Sequence, residues 1–222
     1  MSTLTEIRDH AHAIVDLIEK AEAAEAAAAA GQIGVPSTGG DQITVRVAQE
    51  IVEHEGIVLE AYLDVKNIWT WGLGVTNKSG HRVDRYKDKP TTLARVIEIF
   101  VWLLRNDYAP DVFAEFEGFQ LTEAQFAAAL SFHWNTGSIR EASWCDAWKN
   151  GDIEDAKRRF MLWNKPSSII ERRQKECDLF FSGKWSQDGF AQVIPVSKPS
   201  YKPNFRKSVQ VDIRPALAEA LG

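Results

Sequence analysis

The chain predicts an α+β fold that is mainly α, and three observations carry that prediction. Apolar residues recur at helical spacing through most of residues 43–185. Residues 57–76 change to a β-branched, aromatic composition with Gly72 and Gly74, which suits short twisted strands joined by tight turns. Polar capping residues stand at the heads of several helical runs.

Taken in order, residues 1–30 begin with Thr3 and Glu6 in capping-box spacing. Leu4, Ile7, Ala11, Ile14, Ile18 and Ala21 then follow at alternating steps of three and four, the pattern of an amphipathic N-terminal helix. Its seam over residues 4–28 offers a surface for oligomerisation, although such a stripe more often docks on its own domain. Residues 31–42, GQIGVPSTGGDQ, have the composition of a flexible linker and set a domain boundary near 42.

In the central domain, residues 43–185, Thr44 is placed to cap a helix that carries Ala48, Ile51, Val52 and Glu55 on one face and stops at Gly56. The strands of 57–76 are expected to form a hairpin after the helix end. Further helices are expected over 91–107, 122–135, 140–150, 152–163 and 168–181, with Thr122 and Gln125 as a second capping box. The C-terminal extension, residues 186–222, contains Pro195, Pro199, Pro203 and Pro215. These predict extended or loop structure rather than another helix. Lys198, Lys202, Arg206 and Lys207, interleaved with Tyr201 and Phe205, read as a solvated tail packed on the domain, with contact to an anionic polymer as the alternative.

Composition narrows the function classes. A hydrophobic fraction of 45% in 222 residues, with eight Trp and eleven Phe, supports a real core and argues against a disordered chain. A net charge of −5 gives no overall basic footprint, so nucleic acid is not the favoured partner. Cys145 and Cys177 stand far apart with no CxxC pair and no histidine at ligand spacing, which points to buried thiols and indicates neither a metal nor a cofactor. The acidic first residues lack the basic start and apolar run of a secretory signal, and no window approaches a membrane span. Synthesis in the cytoplasm, without stable membrane insertion, is the expectation.

Glu55 ends an apolar helix face just before a glycine-marked turn, so its carboxyl is expected to be partly desolvated, with a pKa raised toward what a general acid requires. Asp64 follows with eight residues between, and Thr70 with five more between. A hairpin after the helix end can fold back to hold the second carboxylate across a cleft from the first. Two facing carboxylates suit glycoside hydrolysis, one donating a proton while the other serves water or attacks the sugar, and a hydroxyl can orient that water.

The run HEGIVLEAYLDVKNIWTWGLGVT from His54 resembles the phage-type lysozyme pattern of E-G, then Y-x-D, then T-x-G-x-G-x-T. ALSFHWNTG from Ala129, GDIEDAKRRFMLWNK from Gly151 and ERRQKECDLFFSGKW from Glu171 resemble later segments of that family in the same order. The resemblance spans about residues 43–185 and implies a lysozyme-like fold, a helical lobe beside a small β-hairpin lobe. It implies a muramidase whose partner is bacterial peptidoglycan, with Glu55 as general acid, Asp64 and Thr70 holding the attacking water, Gly72 and Gly74 as turn glycines, Arg172 as the arginine paired with the glutamate, and Asn135 at a polar position facing the cleft. Many relatives carry His where this chain has Val75, outside the catalytic set.

The resemblance also implies an endolysin of host lysis, moving from the host cytoplasm to the periplasm and wall once a holin or similar partner has permeabilised the membrane. A virion-associated lysozyme or a wall-binding structural module is the alternative. A lytic transglycosylase would need one glutamate but no water-holding pair.

Overall fold

The computed structural model describes residues 32–33, 42–186 and 188–222. The expected N-terminal helix and its self-association seam lie outside the described residues, as does most of the linker. Gln32–Ile33, within the expected linker, forms a short strand β1.

Helix α1 (Val45–Glu53) starts where Thr44 turns extended and its hydroxyl oxygen accepts from the Val47 N–H at 3.1 Å, satisfying one of the unpaired donors of the first turn. The chain then enters an antiparallel sheet of β2 (Val58–Leu63), β3 (Trp69–Gly72) and β4 (Val75–Thr76), in that spatial order. The register sets Thr70 opposite both Tyr62 and Thr76, with an irregularity between Val58 and Tyr62. Gly72 holds φ +64°, and a Cβ built on it would lie 3.2 Å from Val96 Cγ1, so backbone conformation and packing both favour glycine there.

Helix α2 (Leu93–Leu103) is capped by Thr92 and does not end near 107 as expected. It runs through a π-helical turn, Leu104–Tyr108, into α3 (Ala109–Glu115): the Ala109 N–H bonds to Leu104 O, five residues back, and Pro110, which has no N–H to give, stands just after that shift in pairing. The short strand β5 (Leu121–Thr122) pairs with β1. It leads into α4 (Glu123–Thr136), whose capping box is formed by Thr122 and Gln125 as expected. Buried residues occur all along α4, which packs between α1 and α7 (Ile170–Ser182). Helices α5 (Ser143–Lys149) and α6 (Ile153–Phe160) complete the helical lobe around Trp144, a fully buried ring set edge-on to Phe132 and Phe180 at 5.5 and 4.9 Å. Both cysteines are free and buried.

The extension contradicts the expectation of no further helix. Strands β6 (Phe190–Val193) and β9 (Val209–Asp212) pair antiparallel, β7 (Val196–Ser197) and β8 (Lys202–Pro203) form a hairpin between them, and α8 covers Arg214–Leu221. Three of the prolines do sit between or at the ends of strands. Pro215 occupies the opening turn of α8, the one part of a helix that accepts it. Helix α8 buries Leu217 completely against α2 and α1, and Arg105 Nη2 donates to the Leu221 carbonyl at 3.2 Å. Strand β6 meets Ile57: the Ile57 N–H donates to Gln192 O at 2.9 Å and the Ile194 N–H to Ile57 O at 2.8 Å. Gly56 permits that approach, since an added Cβ would fall 2.4 Å from Ile194 Cδ1.

Candidate active site

Glu55 lies just past α1, where its N–H still donates to Val52 O at 2.9 Å, and its side chain is 21% exposed at the junction of the two lobes. Arg172 from α7 approaches it, Nη1 to Oε1 at 2.5 Å. The arginine is itself tied down: Nε donates to Glu176 Oε1 at 2.8 Å, and Nη2 to Ser131 O at 3.2 Å. Ser131 Oγ donates to the same Glu176 oxygen at 2.6 Å. Arg173, wholly buried, donates to the other Glu176 oxygen, to Trp163 O at 2.9 Å and, through Nη2, to Asn135 Oδ1 at 2.6 Å. Two buried guanidinium groups therefore share one fully buried carboxylate, which leaves Arg172 a second anionic partner in Glu55.

Burial pushes the Glu55 carboxyl above its ordinary range, while the Arg172 charge and hydrogen bond pull it back without cancelling the rise. The neighbouring His54 is held down to about 3, first by burial and then by Arg172, Lys175 and Arg173, so its ring is neutral. Its Nε2 lies 3.8 Å from Glu50 Oε1.

Asp64 is held differently. It follows β2, and its Oδ1 accepts the N–H groups of Lys66 and Ile68, each at 2.8 Å, closing a turn on its own backbone. The second carboxylate oxygen has no protein partner among the described residues. Thr70, on β3, is 3% exposed and donates its hydroxyl hydrogen to Ile68 O at 3.0 Å.

Glu55 stands between two cavities. One, of about 450 Å³, is bounded by Gly74, Tyr108, Trp134 and Asn135. The other, of about 430 Å³, is bounded by Tyr62, Asp64 and part of the extension, and Gly74 borders both. A third, of about 530 Å³, adjoins the first at Asn135. Glu55 and Asp64 thus face a common space, Arg172 touches Glu55, and Asn135 lines the groove while anchored by Arg173. Gly72 and Gly74 turn the hairpin, and Thr70 lies buried beside the groove without bounding it. Unforeseen from sequence were Arg173 and Glu176, whose charges at helical spacing look like a solvated face, the neutral Ser131, and Tyr108, which the π-helical turn brings to the cavity wall.

A family model described as phage lysozyme matches residues 52–176. The chain belongs to that family. Among solved structures, it is similar to an endolysin from Escherichia coli O157:H7 phage FAHEc1, at 18% identity and TM-score 0.55, over 71% of this chain and 99% of that one. It is also similar to a variant of P22 lysozyme, at 25% identity and TM-score 0.53, over 64% and 99% of the two chains. The muramidase domain of SpmX from Asticaccaulis excentricus resembles it at 20% identity and TM-score 0.50, over 61% and 95%. No curated protein matches the chain. The lysozyme-like fold follows from these likenesses, and family membership makes the chain a glycosidase of the lysozyme kind. The matched span contains Glu55, Asp64, Thr70, Asn135 and Arg172 and ends at Glu176, so the extension lies beyond it.

Proposed function

We propose that the chain hydrolyses the β-1,4 bond between N-acetylmuramic acid and N-acetylglucosamine of peptidoglycan in a single displacement, with Glu55 protonating the leaving oxygen. The observation that carries this reading is the pairing, across one cavity, of a desolvated Glu55 whose pKa is raised with an Asp64 carboxylate that keeps one oxygen uncommitted. A water that donates one hydrogen to that oxygen and, by entering behind the cavity wall, the other to the buried Thr70 Oγ turns its lone pair toward the sugar. Thr70 suits the task because its own hydrogen is spent on Ile68 O, leaving its oxygen as an acceptor. Arg172 fixes the Glu55 side chain, and Gly72 and Gly74 set the hairpin against the helical lobe.

Glu55→Gln keeps the volume but cannot donate an acidic proton, so wall-clearing activity should vanish while the fold persists. Retention of more than about a tenth of the wild-type rate, a change of only about 1.4 kcal/mol in the barrier, removes Glu55 as the acid. Thr70→Val should lower the rate about 10- to 100-fold, a barrier change of about 1.4–2.7 kcal/mol and the scale of one lost hydrogen bond, at little cost to the fold. Product anomers read by NMR directly after cleavage distinguish the mechanisms. Inversion gives the α anomer from the β-linked glycan; an initial β anomer makes Asp64 a nucleophile, and an anhydro sugar makes the enzyme a transglycosylase.

In the cell this activity fits an endolysin. No helix among the described residues is long and apolar enough to cross a membrane, so access to the wall from the host cytoplasm would depend on a holin-type partner. Expression in a host with and without such a pore should show lysis only when both are present.

A further inference from the structure

The cavity shared by Glu55 and Asp64 is closed on one side by residues outside the family match: Ile194, Lys202, Pro203 and Phe205. We propose that this part of the extension is a wall of the substrate cleft, with Phe205 stacking on the apolar face of a sugar ring bound on the Asp64 side of the cleaved bond. The proposal rests on the glycan-hydrolysing reading above, and it adds a binding residue that the lysozyme core does not contain.

Phe205 is 70% exposed, more than any other Phe or Trp among the described residues, and Val65, which borders the same cavity, is 96% exposed. Apolar side chains left in water beside a cavity with few polar groups are the usual make-up of a ligand site. A pyranose matches such a site: its hydroxyls radiate from the rim, while its axial hydrogens form an apolar face that can lie on an aromatic ring.

The wall is also built to hold its shape. The Leu63 N–H donates to Tyr201 O at 2.8 Å, and Tyr201 sets its ring edge-on to Trp69 at 5.2 Å. Lys202 Nζ donates to Asp64 O at 2.7 Å and to Asn67 Oδ1 at 2.8 Å, joining the extension to the turn that carries the second carboxylate. The Asn204 N–H donates to Pro195 O at 2.8 Å, closing the loop just before Phe205. A ring presented on so many fixed points loses little freedom when a ligand arrives. The occupant follows from continuity: whatever fills this cavity lies against Glu55 and Asp64, so it is the strand being cut.

The test uses the full chain. In the Glu55→Gln background, co-sedimentation with purified cell-wall sacculi, and separately with glycan strands freed of their peptides by an amidase, should weaken about five- to tenfold on adding Phe205→Ala and recover with Phe205→Trp. In the active chain, Phe205→Ala should raise KM by a similar factor while kcat changes less than about twofold, and the thermal midpoint should not move because the side chain is exposed. Unchanged binding to both polymers overturns the proposal, as does a loss confined to intact sacculi, which would place a stem peptide on Phe205. A dimer detected by light scattering and lost in Phe205→Ala also overturns it, by making the face a contact between copies. Failure of the underlying reading shows separately, as activity surviving Glu55→Gln.

Discussion

The two carboxylates of the cleft are held by different means. Glu55 faces a buried network in which Arg172, Arg173, Ser131 and Glu176 bond to one another from α4 and α7. Asp64 sits on a turn closed by its own backbone and joined from outside by Lys202 of the extension. On the helical side, charge and burial set a proton affinity. On the hairpin side, backbone geometry sets a direction. In the proposed mechanism an acid must be tuned and a water aimed; the first task would fall to a buried polar cluster and the second to a turn at the surface.

The sharpest way to break this contrast is Glu176→Ala. Removing the shared anion leaves two buried guanidinium groups short of charge, and stability should fall by about 3–5 kcal/mol in urea unfolding, with m unchanged. A loss below about 1 kcal/mol would mean that water reaches the cluster and that the two sides differ less than they look.

The next effect is in pH. The His54 pKa is lowered to about 3 in the folded chain from its ordinary 6.5. The stability tied to its neutral form is therefore complete above about pH 6.5 and is lost as pH falls through the interval toward 3, at up to about 1.4 kcal/mol per pH unit. His54→Gln should flatten that part of a stability-against-pH curve; an unaltered slope would assign acid sensitivity to other groups.

Lys202→Met should show the smallest effect on stability. It keeps the aliphatic stem and loses the bonds to Asp64 O and Asn67, costing about 0.5–1.5 kcal/mol in unfolding. If the turn depends on this external tether for direction, kcat should fall more than that small loss of stability suggests. A fall in the urea midpoint as large as that of Glu176→Ala would show the hairpin side to be as firmly cross-braced as the helical side.

Legibility from sequence follows the same division. Helix starts are local chemistry, so Thr44 and the Thr122–Gln125 box could be read from a few adjacent residues, as could the change of composition at the hairpin. Glu55 was visible because it extends an apolar face, and the family resemblance brought Asp64, Thr70 and Arg172 to notice. Glu176 was not visible. Next to Arg172 and Arg173 it has the spacing of an ordinary surface pair, and only the packing of α7 on α4 shows that all three charges are inside. Proline was misleading at α8, since Pro215 stands in an opening turn where the ring is harmless, and a residue list alone does not separate opening turns from interiors. The route of the extension past Asp64 depends on contacts between distant parts of the chain, for which sequence carries no local sign.

Those distances bear on the order in which the molecule is assembled. Arg172 is separated from Glu55 by 117 positions, and Lys202 from the Asp64 carbonyl by 138. A chain leaving the ribosome amino end first has α1 and the hairpin made long before α7, and α7 made before β6. Until β6 arrives, the Ile57 edge has no strand beside it and the cavity next to Asp64 has no far wall. Closing loops of this span is the slow part of folding for such a topology. The nascent protein therefore carries both carboxylates through most of its synthesis in an unfinished groove, and the wall proposed to hold the glycan is complete only when the last strands have docked.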